Sequence, residues 1–420
     1  MEAACSVKSI LISLIESIDL YNFLLKNHHR QVCIIAYQIG NHYNLDANQL
    51  SNVVLASAIH DIGALHVTER DKLLFVDAID PEPHQIMGER IIGNFAPFAQ
   101  ISKIIRHHHV LYQDILEGRL NRDDIPIECF VIHLADRISV LLSAYPDDTA
   151  TVISEINNRF GTVFLPELKD TFNKLAVTPE FWEKIQDTSF YDLLLMSLND
   201  SSCLIDDTSL EALAAMFSRI VDFKSEWTMN HSKSVSVLAE HIGRLYGLDE
   251  KKCFSLRIAG YLHDIGKIAI PIEVLDKPGK LDTNEYKTIK MHATYSSLIL
   301  SRIPALGDIA KWAMLHHEKH DKSGYPLGKG AADFTVEMDI LAFADIFAAL
   351  AENRPYRAAL TQERITEMLR SFTPDLLDTS VFEVIEKNMS YLCQVNAESA
   401  QQFDSPEMTM QTEHQIEHAI

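Results

Sequence analysis

No apolar stretch in the 420 residues approaches the roughly 20 needed to span a bilayer. Val7–Leu25 is apolar but carries Glu16 and Asp19, with Lys26 directly after it, a pattern of an amphipathic helix and not of a secretory leader. Cysteine is sparse: Cys5, Cys33, Cys129, Cys203, Cys253 and Cys393 form no CxxC pair, which excludes a zinc ribbon and points to reduced thiols in the cytoplasm. Basic charge is also short. Thirty-seven Lys and Arg face 59 Asp and Glu, a formal net charge of −22, so the backbone of a long nucleic acid would be repelled over most of the surface. A small phosphate ligand is not excluded, because bound divalent cations reverse the local field.

Runs of strand-type alternation are few and short. Ile10–Leu25, Gln31–His42, Leu50–Ile59 and Leu210–Val221 place apolar residues at three- and four-residue spacings, and the expected fold is all-α. The length allows two domains with full cores. Ser197–Thr208 is a polar cluster between helical patterns. Asp206-Asp207-Thr208-Ser209 then offers N-cap residues for the next helix, with Glu211 in its first turn. This divides the chain into modules over 1–200 and 205–395, followed by a polar tail over 396–420.

The two modules repeat one another. At an offset of 203, Asn27-His28 matches Asn230-His231, Leu45-Asp46 matches Leu248-Asp249, and His60-Asp61-Ile62-Gly63 matches His263-Asp264-Ile265-Gly266. At an offset of 209, His107-His108 matches His316-His317 and Ala135-Asp136 matches Ala344-Asp345, with 28 residues from the second histidine to the aspartate in each module. His84 and His292 supply the middle imidazoles. His29 is an alternative to His28, which the repeat favours. A duplicated all-α module carrying His, His-Asp, His, His-His and Asp follows.

Imidazole and carboxylate side chains are ligands for borderline divalent metals. Two such metals a few ångströms apart can generate a nucleophile, neutralise a phosphate and stabilise a leaving oxygen, and a bridging carboxylate can join them. In the second module His231, His263, Asp264, His292, His316, His317 and Asp345 lie on separate segments, as where helices converge on a bundle core.

His263-Asp264-Ile265-Gly266-Lys267-Ile268-Ala269-Ile270-Pro271, Lys277-Pro278-Gly279-Lys280-Leu281, His292, the run from His316-His317-Glu318 to Gly324-Tyr325-Pro326, and Arg354-Pro355-Tyr356-Arg357 resemble the signature of the HD-GYP phosphodiesterases. The resemblance spans His231–Arg357, about a third of the chain. It implies two HD-type helical bundle modules in tandem. It implies Asp264 as bridging ligand, with His231, His263 and Asp345 on one metal and His292, His316 and His317 on the other. Lys267 would hold the phosphate, and Tyr325, Arg354 and Arg357 would contact a cyclic dinucleotide. The metals are usually iron or manganese in that family. Four departures stand out: Trp227 where a glutamate often precedes the first histidine, with Glu226 one residue off; Lys322 for a glycine; Ala293 for a proline; and Ala348 for an aspartate. Two metals, not three, are expected. Lys322 implies either a different turn or a contact to phosphate. Lys267, Lys277, Lys280, Lys319, Lys322, Lys329, Arg354 and Arg357 form either a solvated face or a funnel for an anion. His241, His320 and His414 are read as ordinary core or surface residues.

The first module keeps His28, His60, Asp61, His84, His107, His108 and Asp136, but has Ala64 in place of Lys267 and no Gly-Tyr-Pro. It reads as a plain HD-type phosphohydrolase module with further divalent metals, either a 5′-nucleotidase or a regulator. The resemblance implies hydrolysis of cyclic di-GMP or 3′3′-cyclic GMP-AMP to the linear 5′-phosphorylated dinucleotide, the alternative being an inactive cyclic-dinucleotide receptor. No receiver or sensor is recognisable, so input would come through expression, the first module or a partner protein. Pseudo-dimeric packing of the two modules would lessen the need for a homodimer.

Overall fold

The computed structural model describes residues 3–6, 10, 15, 23–64, 82–197, 202–222, 224, 231–303, 306–352 and 358–401. These are almost wholly helical. The exception is a two-stranded sheet of β1 (Ala3–Ser6) and β2 (Ser202–Ile205), so part of the polar cluster before residue 208 is strand. The chain separates into two compact units, 4–204 and 205–420 with residues 1–3.

In the first unit α1 (Phe23–His42) packs on α2 (Ala47–Ile59), and α3 (Glu82–Ile92) packs on α4 (Ala99–Arg106). The centre is α5 (Ile127–Ala144), an apolar helix buried from Glu128 to Leu142 against α1 and α2. Its near-continuous apolar sequence suits a helix with no wet face. Shorter helices, Lys169–Ala176, Pro179–Ile185 and Thr188–Ser197, cover α1 from outside. Most of Ile10–Leu25 lies outside the described residues.

The second unit opens with α6 (Asp207–Asp222), where the Asp206 carboxylate accepts from Ser209 N at 2.8 Å, an N-cap bond. It continues with α7 (His231–Tyr246), α8 (Glu250–Leu262), α9 (Thr283–Leu300), α10 (Gly307–Leu315) and the buried α11 (Val336–Ala351). α7 packs on α8 and α11, as α1 packs on α2 and α5. Helix starts are built alike. Asp46 caps α2 with Gln49 in a capping box, Asp249 caps α8 at the matching place, and Asp282 with Glu285 does the same for α9. Gln362–Arg370, Thr379–Lys387 and Met389–Gln401 close the unit. The last helix runs past residue 395, with Asn396 and Ser399 buried, so a polar tail does not begin at 396; 402–420 lie outside the described residues.

The helices also set the register of the repeat. α2 matches α8 at an offset of 203, the end of α3 matches the end of α9 and the start of α4 matches the start of α10 at 208, and α5 matches α11 at 209. Gly63 and Gly266 confirm the middle step. A Cβ on Gly63 would meet His84 O at 2.0 Å, and one on Gly266 would meet His292 O at 2.0 Å. In each unit this glycine lets the turn after His-Asp press on the helix that carries the middle histidine.

Candidate metal centres

In the second unit the helix ends aim the site residues at one point. His231 begins α7. His263 caps the C-terminus of α8, and Asp264 leads into a 3₁₀ turn, Ile265–Ala269. His292 lies in α9, His316 caps α10 with His317 next, and Asp345 lies in α11. Ligand atoms of Asp264, His292, His316 and His317 lie within 4.8 Å of one another, and so do those of His231, His263 and Asp264. Asp264 belongs to both sets. Its Oδ1 is 3.3 Å from His292 Nε2 and 3.9 Å from His316 Nε2, while its Oδ2 is 3.1 Å from His263 Nε2. Asp345 Oδ1 is 3.1 Å from His231 Nε2 and 3.9 Å from His263 Nε2.

The donor set fits divalent cations. His263, His292 and His316 each donate Nδ1–H to the backbone carbonyl three residues earlier, Gly260, Ile289 and Ala313, at 2.8, 2.5 and 2.7 Å. That bond fixes the tautomer and leaves the Nε2 lone pair free. The Nε2 atoms of all three, and Asp264 Oδ1, are buried without a hydrogen-bond partner in the chain. Each such orphan costs about 1–3 kcal/mol. Ligand atoms bound to one ion at about 2.1 Å lie about 3.0–3.4 Å apart, near the separations found here.

The charges agree. Burial works to raise the Asp264 carboxyl, but Lys267 and His263 outweigh it and hold the group well below the usual carboxylate range. Burial drives the His316 imidazole down to about 3 and lowers His292 and His317 as well, so these are neutral ligands. His231 is the exception. Burial lowers it, yet Glu352 and Asp345 on either side take it up to about 10, so without an ion it holds a proton that a metal would displace.

Lys267 Nζ lies 2.6 Å from Asp264 Oδ2, at the rim of the cluster. Beside it a cavity of about 240 Å³ is lined by His316, His317, Tyr325, Asp345, Tyr286 and Phe372. The Tyr325 ring lies over His317 at 4.7 Å between centroids, and burial, then Asp264, raise its phenol, which stays a donor. The loop carrying Tyr325 is stapled by buried Glu318, which accepts from Leu327 N at 2.5 Å and Lys329 N at 2.9 Å. A Cβ on Gly324 would meet Glu318 Cα at 2.4 Å, so only glycine fits.

The departures resolve unevenly. Lys322 takes the left-handed conformation, φ 69°, which a glycine would adopt at less cost; its stem runs against Gly330. Ala293 and Ala348 are fully buried. Trp227, Glu226, Arg354 and Arg357 lie outside the described residues, as does His414. Lys277 is paired with Glu285 at 2.6 Å and Lys329 with Asp333 at 3.5 Å, so these two have local partners. His241 bonds Tyr391 and His320 bonds Asp339, both away from the cluster.

The first unit has the same arrangement with one correction. Asp61, His84, His108 and His109 form the quartet, and His28, His60 and Asp136 a second set. His107, expected as a ligand, is the half-buried C-cap of α4, and His109 stands in its place. His108 donates Nδ1–H to Ile105 O at 2.7 Å, as His316 does to Ala313 O, so His108-His109 matches His316-His317. The equal 28-residue spacings misled because the one-residue insertion falls after the histidine pair, between α4 and α5. Asp61 again divides its oxygens: Oδ1 faces His84 and His108 at 3.7 Å each, and Oδ2 faces His60 at 3.2 Å. His28 Nε2 is 3.3 Å from Asp136 Oδ1, as the repeat implies, and His29 Nε2 is also close, 3.7 Å from Asp61 Oδ2. Ala64, at the place of Lys267, is buried. The nearby cation is Arg137, 2.6 Å from Asp136 Oδ2.

Sequence reasoning missed His109, Glu318, Glu352 and Lys224. The fully buried Lys224 ammonium bonds the carbonyls of Lys267, Ile268 and Ile270, and so ties down the turn that carries Lys267. Only His109 had a signal: the 208-residue offset between His84 and His292 also pairs His108-His109 with His316-His317.

Comparison with known proteins agrees with this geometry. HD-domain family models match residues 25–141 and residues 215–381. A 3′3′-cGAMP-specific phosphodiesterase 1 of Vibrio cholerae is 29% identical over 88% of this chain and 89% of its own length. The phosphodiesterase 3 of that organism is 33% identical over 57% of this chain and 52% of its own length. A crystal structure of a cyclic GMP-AMP-specific phosphodiesterase of V. cholerae shares the fold, with a TM-score of 0.59 at 22% identity, covering 92% of this chain and 98% of that one. Among the described residues no helix is long and apolar enough to cross a membrane. The chain carries two HD domains in tandem, the second of the HD-GYP type, and its homologues are cyclic dinucleotide phosphodiesterases.

Proposed function

We propose that the second HD domain is a metal-dependent phosphodiesterase that opens a 3′,5′-linked cyclic dinucleotide to the linear dinucleotide with a 5′-phosphate. The observation that carries this is Asp264, whose Oδ1 faces the unpartnered Nε2 atoms of His292 and His316 and whose Oδ2 faces that of His263. His231, His263 and Asp345 would hold one divalent ion and His292, His316 and His317 the other, with Asp264 between them. Iron or manganese suits a mixed imidazole and carboxylate set. Such ions supply Lewis acidity at phosphorus and lower the pKa of the attacking water.

The chain's own groups then position the diester. Lys267, held by Asp264, offers its remaining N–H donors to a phosphate oxygen. The cavity bounded by Tyr325 and Phe372 takes a nucleobase against aromatic faces, and its position beside His317 and Asp345 puts the phosphate over the cluster. Water attacks phosphorus, the bond to the 3′ oxygen breaks, and the 3′ hydroxyl leaves with a proton. The relative that spans most of the chain bears the name of 3′3′-cyclic GMP-AMP, which makes that ligand the first candidate and cyclic di-GMP the second.

The first HD domain has a comparable donor set without the lysine and without the Gly-Tyr-Pro loop. Without those recognition elements it suits a smaller phosphate monoester, such as the 5′-phosphate that the second domain produces. Anaerobic turnover with Mn²⁺ or Fe²⁺ of cyclic di-GMP, cyclic di-AMP and 3′3′-cyclic GMP-AMP tests both readings, with Asp264→Ala and His60→Ala/Asp61→Ala as controls. A linear product that Asp264→Ala abolishes supports the diesterase. Subsequent release of phosphate that His60→Ala/Asp61→Ala abolishes supports the monoesterase. Tight binding with no product would make the protein a receptor.

A further inference from the structure

Five of the clustered histidines are aimed by their own helix. His60, His108, His263, His292 and His316 each donate Nδ1–H to the carbonyl three residues back. His231, the first described residue of α7, is held differently. Its Nδ1 meets a side chain: Glu352 Oε2 at 3.2 Å and Oε1 at 3.4 Å. With Nδ1–H donated there, Nε2 faces the cluster, 3.1 Å from Asp345 Oδ1, and carries the proton that a metal would displace.

The first domain answers the same need differently. His28, the counterpart of His231, sets Nδ1 3.1 Å from Ser139 Oγ. Ser139 donates its own proton to Gln31 Oε1 at 2.9 Å, so its oxygen is the acceptor for His28. Ser139 lies one turn after Asp136. The matching residue, one turn after Asp345, is Ala348, which has no polar atom and is fully buried. Glu352 lies seven residues after Asp345, two turns on and on the same face of the chain leaving α11.

We propose that Glu352 is the positioning residue for His231, replacing from one turn further along α11 the acceptor that Ala348 lacks and that Ser139 provides in the first domain. A carboxylate in this role makes a stronger bond than a hydroxyl, orients the ring, and raises the basicity of Nε2 toward a cation. The inference rests on the reading of His231 as a metal ligand.

The test is Mn²⁺ binding by the full chain under anaerobic conditions, read as ions bound per chain and as affinity by electron paramagnetic resonance. Wild type is compared with His231→Ala, Glu352→Ala, Glu352→Gln and Ala348→Ser/Glu352→Ala. Glu352→Ala is expected to weaken one site about 10–100-fold. Glu352→Gln, which can still accept from Nδ1–H, should lose less. Ala348→Ser/Glu352→Ala, which copies the Ser139 arrangement, should recover most of the affinity. Rescue by a residue at a different position is not expected of a merely structural glutamate. If Glu352→Ala binds as wild type does while His231→Ala loses an ion, the proposal is wrong and the ligand reading stands. If His231→Ala itself binds as wild type does, the ligand reading fails and takes the proposal with it. Should Glu352→Ala not fold, the double variant decides: folded with recovered affinity it supports the proposal, and folded with weak binding it overturns it.

Discussion

Gly266→Ala should disable the second centre while changing none of its ligand side chains. A Cβ at Gly266 would sit 2.0 Å from His292 O and 2.5 Å from Ser296 N, where ordinary contact begins near 3.4 Å. Both atoms are backbone, so no side chain can rotate away. Either the 3₁₀ turn after Asp264 or α9 must retreat by about 1.4 Å, which separates Asp264 from His292, now 3.3 Å apart. Overpacking of this kind costs about 1–3 kcal/mol, which is about 2–12 °C in Tm for a domain of this size. A displacement of about 1 Å at a reacting centre costs about 100-fold in rate. The assay is bound Mn²⁺ per chain, turnover of the cyclic dinucleotide and thermal unfolding, with Gly63→Ala as the parallel change in the first domain. That variant should lower metal binding in the first centre and leave diester hydrolysis unchanged. A Gly266→Ala protein with wild-type metal content, turnover within about twofold and unchanged Tm would refute the reasoning.

Other expectations follow from the same contacts. His109→Ala should lower metal content in the first domain and His107→Ala should not; the reverse in metal analysis of the purified variants would restore the equal-spacing register. Lys322→Gly should stabilise the protein by about 1 kcal/mol, since it relieves a left-handed lysine, with KM for the cyclic dinucleotide unchanged; a raised KM would instead place Lys322 on the substrate. Asp222 has its carboxyl pushed up to about 8, by burial first and by Glu352 and Asp264 besides, against 3.8 in an unfolded chain. The folded state therefore keeps a proton that the unfolded state releases, and stability falls as pH rises from about 4 to 8. In chelated protein Asp222→Asn should raise Tm more at pH 8 than at pH 5; an equal difference at both would argue against the shift.

The tandem organisation and most of the site were legible in the chain. Helical periodicity, Leu-Asp at 45–46 and 248–249, and His-Asp followed by Ile-Gly repeat in order, and each is a local property of a few neighbouring residues. His60, Asp61, His263 and Asp264 could be paired by eye because the segments that carry them have equal length in both domains. Tertiary structure alone decided the rest. The insertion that moves the ligand pair from His107-His108 to His108-His109 lies between α4 and α5, where spacing does not show which side of it a residue falls on; the Nδ1 bond of His108 and the gathering of Asp61, His84, His108 and His109 do. Lys224 reaches carbonyls 43 to 46 residues away, and Glu352 reaches a histidine 121 residues away. A buried ammonium among carbonyls and a carboxylate behind an imidazole are contacts between helices remote in sequence. No composition, period or motif encodes them, because they exist only once packing has brought those helices together.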